Sequence, residues 1–359
     1  MMDEVAAALA AMKRADRKPP ANFIFITDPP SGLRAFLVLD SLALGPAAGG
    51  VRTQRYPSAE SALRDALDLA RAMTLKCALA GLDAGGGKCV VMDHDGLDRP
   101  RAFEHLGMRI EALRGAFRTA GDLGTTRADL EAMAKTCQYV YTDERGLAAA
   151  VARGMLRCIE ACAAERGRKD IAGMRVAIQG AGSIGSAVAE ALSNEGARVL
   201  CADIDADKAE RLAHRVRGRT CSPEEILFAE VDIVAPCAAG GVITADVARG
   251  LRASAVCGAA NNILASAEAA QVLVERGILH VPDPIASAGA VIEGVGQIVM
   301  NLPDRTPLID RLGETAHEVL AEARRTGRTP SEVAEARALR TVGAGKGSGS
   351  SPPSKRGIE

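Results

Sequence analysis

Two short runs rich in β-branched and aromatic residues, "NFIFITD" and "LRAFLVLDS", stand either side of the turn-forming "PPSG". That pattern predicts a β-hairpin. After Ser58, a residue type that caps helix N-termini, Ala62, Leu63, Ala66, Leu69, Ala70 and Met73 recur at helical spacing. They predict an amphipathic helix that ends at Lys76. Helical patterns also cover 101–118, 127–136 and about 147–166, and Thr126 with Asp129 three residues on forms a capping-box arrangement before the second. The period then changes: "MRVAIQG" is a short apolar strand, followed by a glycine turn, a helix and "ARVLCAD". The alternation continues through "VDIVAPC", "SAVCGAA" and "ILHVPD", which predicts a parallel sheet. From 303 onward helix formers return in "LIDRLGETAHEVLAEARR" and, after Thr329 and Pro330, in "SEVAEARALRTV". The Gly/Ser/Pro-rich tail, 342–359, is expected to be disordered.

Composition narrows the function classes. The 359 residues suffice for two domains with substantial cores, and 48% are hydrophobic. With 44 basic and 45 acidic residues the net charge is -1, which leaves no broad basic field for nucleic acid or anionic lipid. Neither nucleic acid nor membrane is an expected partner. The nine cysteines are scattered without a CxxC pair, so reduced thiols are expected in place of a disulfide framework or a zinc site. Cys158 and Cys162, one helical turn apart, read as small apolar residues on one buried face. The five histidines form no ligand-spaced cluster, and no metal is expected. The N-terminal "MMDEVAAALAAMKRADRK" carries acids and bases throughout and is too short in apolar length for a signal peptide or a membrane span. A soluble, cytoplasmic protein is expected.

Candidate chemistry concentrates in two places. "VAIQGAGSIGSAVAEAL" holds G-x-G-x-x-G as Gly180, Gly182 and Gly185 between a strand and an amphipathic helix. In that context the glycines permit a tight turn, close pyrophosphate approach and helix-on-strand packing, with phosphates at the helix N-terminus. Asp203 ends the next strand, 23 residues past Gly180, where a carboxylate accepts from the adenosine ribose hydroxyls and repels a 2′-phosphate. The cofactor expected is NAD.

The second place is "LAGLDAGGGKCVVM", where Gly85, Gly86 and Gly87 precede Lys88, 12 residues after Lys76. The glycines are expected to clear space for a small ligand beside Lys88. Each lysine alone reads more often as a solvated surface group, but two ammonium groups in one desolvated cleft depress each other's pKa. One then keeps its charge to hold a carboxylate while the other acts as a base near neutral pH. Asp122, in the turn "TAGDLGTTRADL", reads either as a turn aspartate or as a carboxylate that relays protons with Lys88.

Taken together, "GPAAGGVR" (45–52), "MTLKCALAGLDAGGGK" (73–88), "GDLGTT" (121–126), "VAIQGAGSIG" (176–185), "APCAAGGVIT" (235–244) and "GAANN" (258–262) resemble the Glu/Leu/Phe/Val amino-acid dehydrogenase family, nearest its phenylalanine and leucine members. The resemblance runs over roughly residues 22–300. It implies an α/β fold: a substrate and oligomerisation domain with a mixed sheet and helices (1–145, completed by helices 303–341) plus a Rossmann NAD-binding domain (146–302), the active-site cleft lying between them. It also implies that Lys76 binds the substrate α-carboxylate, Lys88 activates water, and Asp122 assists proton transfer. Gly49, Ala48, Asn262, Val291 and Gly294 would complete the substrate site. Gly180, Gly182, Ser183, Ile184, Gly185, Asp203, Ile204, Cys237, Ala238 and Asn261 would hold NAD. The implied reaction passes a hydride from substrate Cα to nicotinamide, adds water to the resulting iminium, and releases a 2-oxo acid and ammonia.

Substrate choice follows from single positions within the resemblance. Glutamate-specific relatives carry a lysine where this chain has Ala48, so the side chain recognised is expected to be apolar. Ala48 and Gly294 are both small, which favours a phenylalanine-like substrate, with leucine and valine next. Oligomers form through the substrate domain in this family, so a homo-oligomer is expected. The chain departs from the pattern at 143–150, where a longer loop is cut to "DERGLAAA" and Leu147 stands in place of a threonine. Ser287 replaces an asparagine and Ala290 a glycine. These departures keep open an alternative: an NAD-binding relative of low or altered activity, serving as a sensor or a biosynthetic-pathway component.

Overall fold

The computed structural model describes residues 19–143 and 145–345. The expectations for segment 1–18 and for the tail beyond 345 lie outside the described residues, as does Glu144 of the shortened loop. The predicted hairpin is present as β1 (Asn22–Asp28) and β2 (Leu33–Leu39), paired antiparallel around Gly32, whose φ of 74° suits the turn. β3 (Ala47–Gln54), β4 (Gly85–Met92) and β5 (Phe117–Gly121) complete a mixed sheet in the order β1-β2-β4-β3-β5. Helix α1 (Ala59–Leu79) packs Leu63, Ala66 and Ala70 against Phe36, Val38, Val90 and Met92 on one face. Helices α2 (Arg99–Glu111) and α3 (Arg127–Ala134) cover the other face with Phe103, Leu106, Ile110, Leu130 and Met133. Ser58 caps α1 and Thr126 caps α3, each through a reciprocal box with the residue three positions on. Such a cap contributes about 1 kcal/mol.

Two boundaries in this half differ from the sequence reading by three residues or more. Helix α1 continues past Lys76 to Leu79, so Lys76 sits inside its last turn. The helix expected over 101–118 stops at Glu111, because Arg114 (φ 51°) and Gly115 (φ 83°) take left-handed conformations. The chain then reverses, and Phe117 enters β5 fully buried. Its helix-compatible spacing lost to the demand of the sheet for a fifth strand.

The second half is doubly wound. Helix α4 (Leu147–Glu165) leads into β6 (Arg175–Gln179), α5 (Ser183–Asn194), β7 (Arg198–Ala202), α6 (Ala206–Val216), β8 (Arg219–Thr220), β9 (Ile233–Pro236), α7 (Ala245–Gly250), β10 (Ala255–Val256), α8 (Ala267–Glu275) and β11 (Leu279–His280). The strands are all parallel in the order β11-β10-β9-β6-β7-β8. This order reverses direction at β6, which opens a crevice at the carboxyl ends of β6 and β9. Short helix α9 (Asp283–Ala286) and α10 (Gly289–Ile298) follow, then α11 (Thr306–Thr326) against α4, and α12 (Pro330–Ala344), which returns to pack on α1. Residues 342–344, expected in the tail, are helical, because α12 has the first sheet's helix to rest on. Cys158 and Cys162 are buried at the α4 interface, and all nine cysteines are free thiols. His280 is 2% exposed, and both its ring nitrogens lack a hydrogen-bond partner; burial pushes its pKa down to about 4. Among the described residues no helix is long and apolar enough to cross a membrane.

Candidate active site

Lys88 is the fourth residue of β4, and the three glycines before it are strand residues, not a loop. A Cβ at Gly85 would stand 1.8 Å from Ser41 O, one at Gly86 2.0 Å from Thr74 N, and one at Gly87 2.9 Å from the Phe117 ring. The space they vacate is therefore taken by protein. This corrects the expectation of ligand space there: the glycines let the 41–42 segment, α1 and Phe117 close tightly around the strand that presents Lys88.

Lys88 is buried, and its Nζ lies 2.7 Å from Asp122 Oδ2. Burial pushes the ammonium pKa down; Asp122 opposes this without cancelling it, and Arg52 pushes it further down. Asp122 is itself driven up by burial, but the charges of Lys88 and Arg52 outweigh that and hold the carboxyl below its usual range. Gly50 makes the pairing possible, since a Cβ there would stand 2.9 Å from Asp122 Cβ.

Lys76 reaches across to the second half of the chain. Its Nζ donates to Asn261 Oδ1 at 3.0 Å and to Ser287 Oγ at 2.9 Å. Burial lowers its pKa, Asp283 resists, and Lys88 adds a like-charge push downward. Ser287 passes its own hydroxyl hydrogen to Asp283 O at 2.6 Å, and Asp283 Oδ2 accepts the Asn262 N–H at 3.0 Å. Burial pushes Asp283 up against the pull of that N–H and of Lys76. Thus Lys76, Lys88, Asp122 and Asn261 gather in one place, as their spacing alone had no power to show.

The dinucleotide turn has the geometry its glycines predict. Gly180 takes φ 103° and lies against Ala238, Gly185 lets the helix meet the turn at Gly180 O, and a Cβ at Gly182 would meet nothing within 4 Å. That open space at the N-terminus of α5, next to the exposed Ser183, leaves room for a phosphate group to approach the helix N–H groups. Asp203 accepts from the N–H groups of Ala181 (2.7 Å) and Asp205 (2.9 Å), which fix its carboxylate at the end of β7. Burial raises its pKa, but those N–H donors and Lys208 prevail and lower it. Ile204 beside it is 96% exposed, and Ile184 is half-buried at the start of α5. Cys237 follows β9 with its thiol pushed up to about 12, chiefly by burial, so it stays neutral.

At the other wall, Gly49 lies against Gly87 O and Met73, and Ala48 is buried in the core cluster shared with α1 and α4. Gly294 faces open space, one turn of α10 from the half-buried Val291. Leu147 begins α4 after Gly146, a left-handed residue that provides no side-chain cap. Four participants escaped the sequence reading: Arg52, Asp65, Tyr56 and Asp283. Arg52 donates Nε to Asp122 Oδ2 at 2.9 Å, Asp65 pairs with Arg52, and Tyr56 donates to Asp65. Arg52 stood inside a quoted motif and Asp283 one residue past Pro282 at a strand's carboxyl end. Only that position, where parallel sheets bind ligands, carried a signal.

A doubly wound dinucleotide fold facing two buried lysines, one of them paired with a carboxylate, defines a Rossmann-type oxidoreductase. Residues 20–139 match the model of the Glu/Leu/Phe/Val dehydrogenase dimerisation domain, and 203–304 that of Glutamate/Leucine/Phenylalanine/Valine dehydrogenase. The NAD-binding domain of D-isomer specific 2-hydroxyacid dehydrogenases also matches, over 146–244. Leucine dehydrogenase of Geobacillus stearothermophilus is 34% identical over 311 residues, 84% of this chain and 85% of the relative. Phenylalanine dehydrogenase of Bacillus thermotolerans is 37% identical over 283 residues, 75% and 74% of the two chains. The crystal structure of L-tryptophan dehydrogenase from Nostoc punctiforme superposes with a TM-score of 0.80 at 29% identity, covering 90% of this chain and 95% of that one. The chain belongs to the Glu/Leu/Phe/Val dehydrogenase family, as its motifs indicated, and its fold class is the one that family implies.

Proposed function

We propose that the protein catalyses the NAD-dependent oxidative deamination of an apolar L-amino acid, phenylalanine-like first and leucine or valine next, to the 2-oxo acid and ammonia. The observation that carries this reading is the buried Lys88–Asp122 pair beside Lys76, whose partner Asn261 belongs to the dinucleotide half. When bound, NAD supplies the acceptor for the hydride leaving substrate Cα. It is held by the Gly180–Gly185 turn, with Asp203 at the ribose. Lys76 takes the α-carboxylate, which adds to Asp283 a second counter-charge for a buried ammonium. Lys88, held low by burial, accepts a proton from the water that adds to the substrate iminium, and Asp122 steadies the lysine through the transfer. Gly294 and Val291 border the space for the side chain, and Ala48, without a charge, makes no provision for a second carboxylate.

In this reading residues 1–145 with 303–341 form the substrate domain and 146–302 the NAD domain, in a cytoplasmic homo-oligomer; the match to a dimerisation domain over 20–139 supports assembly. A second reading, an NAD-binding member of low or altered activity, is favoured by Leu147 at the start of α4 and by Ser287 occupying Lys76. NADH absorbance decides between them: protein, NAD and a panel of L-amino acids at alkaline pH, with Lys88→Ala as control. Turnover greatest with phenylalanine and reduced about 10²–10⁴-fold in Lys88→Ala is expected. NAD binding without turnover on any amino acid selects the second reading.

A further inference from the structure

Two cations converge on one oxygen of Asp122. Lys88 Nζ stands 2.7 Å from Oδ2, and Arg52 Nε 2.9 Å from the same atom. The far side of the Arg52 guanidinium reaches Asp65 Oδ2 at 3.3 Å, and that oxygen also accepts the Tyr56 hydroxyl at 2.5 Å. Lys88, Asp122, Arg52 and Asp65 therefore form a file of alternating charge drawn from β4, the turn after β5, β3 and α1. Its outer end is fixed by Asp65, which sets the plane of the guanidinium and aims Nε at Asp122.

We propose that Arg52 is a positioning residue for the reaction: by claiming part of Asp122 Oδ2, it weakens the hold of that carboxylate on Lys88 and leaves the amine free to shed its proton. The inference rests on the reading of Lys88 as the base. Arginine suits the task because it does not deprotonate in proteins, so its charge stays constant while Lys88 titrates. A carboxylate given wholly to Lys88 would hold the ammonium proton more strongly.

The groups around Lys88 divide cleanly by sign. Asp122 and Asp65 pull its proton on; Arg52 and, from α1, Lys76 push it off. Tyr56, ahead of α1, is kept neutral by burial and by its bond to Asp65, both of which raise its pKa. The Cys89 thiol, next along β4, is pushed up to about 12 by burial and stays neutral. Removing Arg52 leaves Lys88 facing two carboxylates. Removing the charge of Asp65 does the opposite, since it subtracts an anion while Arg52 remains.

A purely structural Arg52, one that only ties β3 to the turn, predicts lower activity in both variants but no opposed shift. The test uses the full-length chain with Arg52→Gln, Arg52→Lys and Asp65→Asn, each read in two ways. The first is the pH profile of kcat/KM on the best amino acid. The second is the pH midpoint for trace labelling of Lys88 by acetic anhydride, followed by mass spectrometry and independent of turnover. Arg52→Gln is expected to move both the acid limb and the labelling midpoint up by about 1 pH unit, Asp65→Asn to move them down, and Arg52→Lys to stay near wild type. Unmoved midpoints, or shifts of one sign in Arg52→Gln and Asp65→Asn, overturn the proposal. Opposed midpoints in a protein without amino-acid turnover uphold it while the deamination reading fails. Should Arg52→Gln not fold, Asp65→Asn decides alone: a downward shift upholds the proposal and the lack of one overturns it.

Discussion

Gly86→Ala tests whether the clamp around Lys88 is what aligns the site. The added Cβ would stand 2.0 Å from Thr74 N, 2.4 Å from Ala70 O and 2.4 Å from Thr74 Oγ1, all on α1. An ordinary contact begins at 3.4 Å, so the helix and the strand must separate by about 1.4 Å. The two backbone atoms have no rotamer to turn away, and β4 is held on both sides by β2 and β3. The helix yields, and Lys76, two residues past Thr74, travels with it. Overpacking of this kind costs about 1–3 kcal/mol of stability, and a misplacement near 1 Å costs about 10²-fold in rate. Urea unfolding and kcat/KM on the amino-acid panel measure both. Gly182→Ala is the comparison: its Cβ meets no atom within 4 Å, so stability should hold while KM for NAD rises. A Gly86→Ala protein with wild-type unfolding midpoint and wild-type kcat/KM would refute the packing argument.

Two more predictions concern the dinucleotide half. His280 has its pKa lowered by burial from 6.5 to about 4, so between those values the unfolded chain binds the extra proton and stability falls as pH falls. Between about pH 7.5 and pH 4.5 the wild type should lose about 2–3 kcal/mol more than His280→Leu, measured by urea unfolding; parallel pH curves would show that His280 is not the titrating group. Asp203→Ala removes the carboxylate anchored by Ala181 and Asp205, and should reduce the preference of kcat/KM for NAD over NADP by about 10–100-fold. An unchanged ratio would take the ribose away from Asp203.

What was legible in the sequence was chemistry with a short-range spelling. The Gly180–Gly185 turn, the Ser58 and Thr126 caps and the parallel alternation depend on neighbours a few residues apart, and each appears where its pattern lies. Lys76, Lys88 and Asp122 were visible as residue types, and the family's motifs placed them together. Arg52 was not, because its partner Asp122 lies 70 residues away and nothing local marks the pair. The glycine triplet misled for a related reason: a missing side chain tells that something comes close, not whether it is ligand or backbone. At 112–118, left-handed Arg114 decided the outcome, a conformation that composition does not announce.

The bonds from Lys76 to Asn261 and Ser287 make one ammonium the rivet between the two halves of the molecule. In the proposed reading, a carboxylate arriving at this ammonium finds two of its three N–H donors already committed and competes with those ties for the rest of its bonds. To the extent that the ties give way, a measured dissociation constant reports the exchange of one set of bonds for another as well as the ligand's own contacts. Amines that lack the carboxyl group have nothing to trade, and leave the rivet in place.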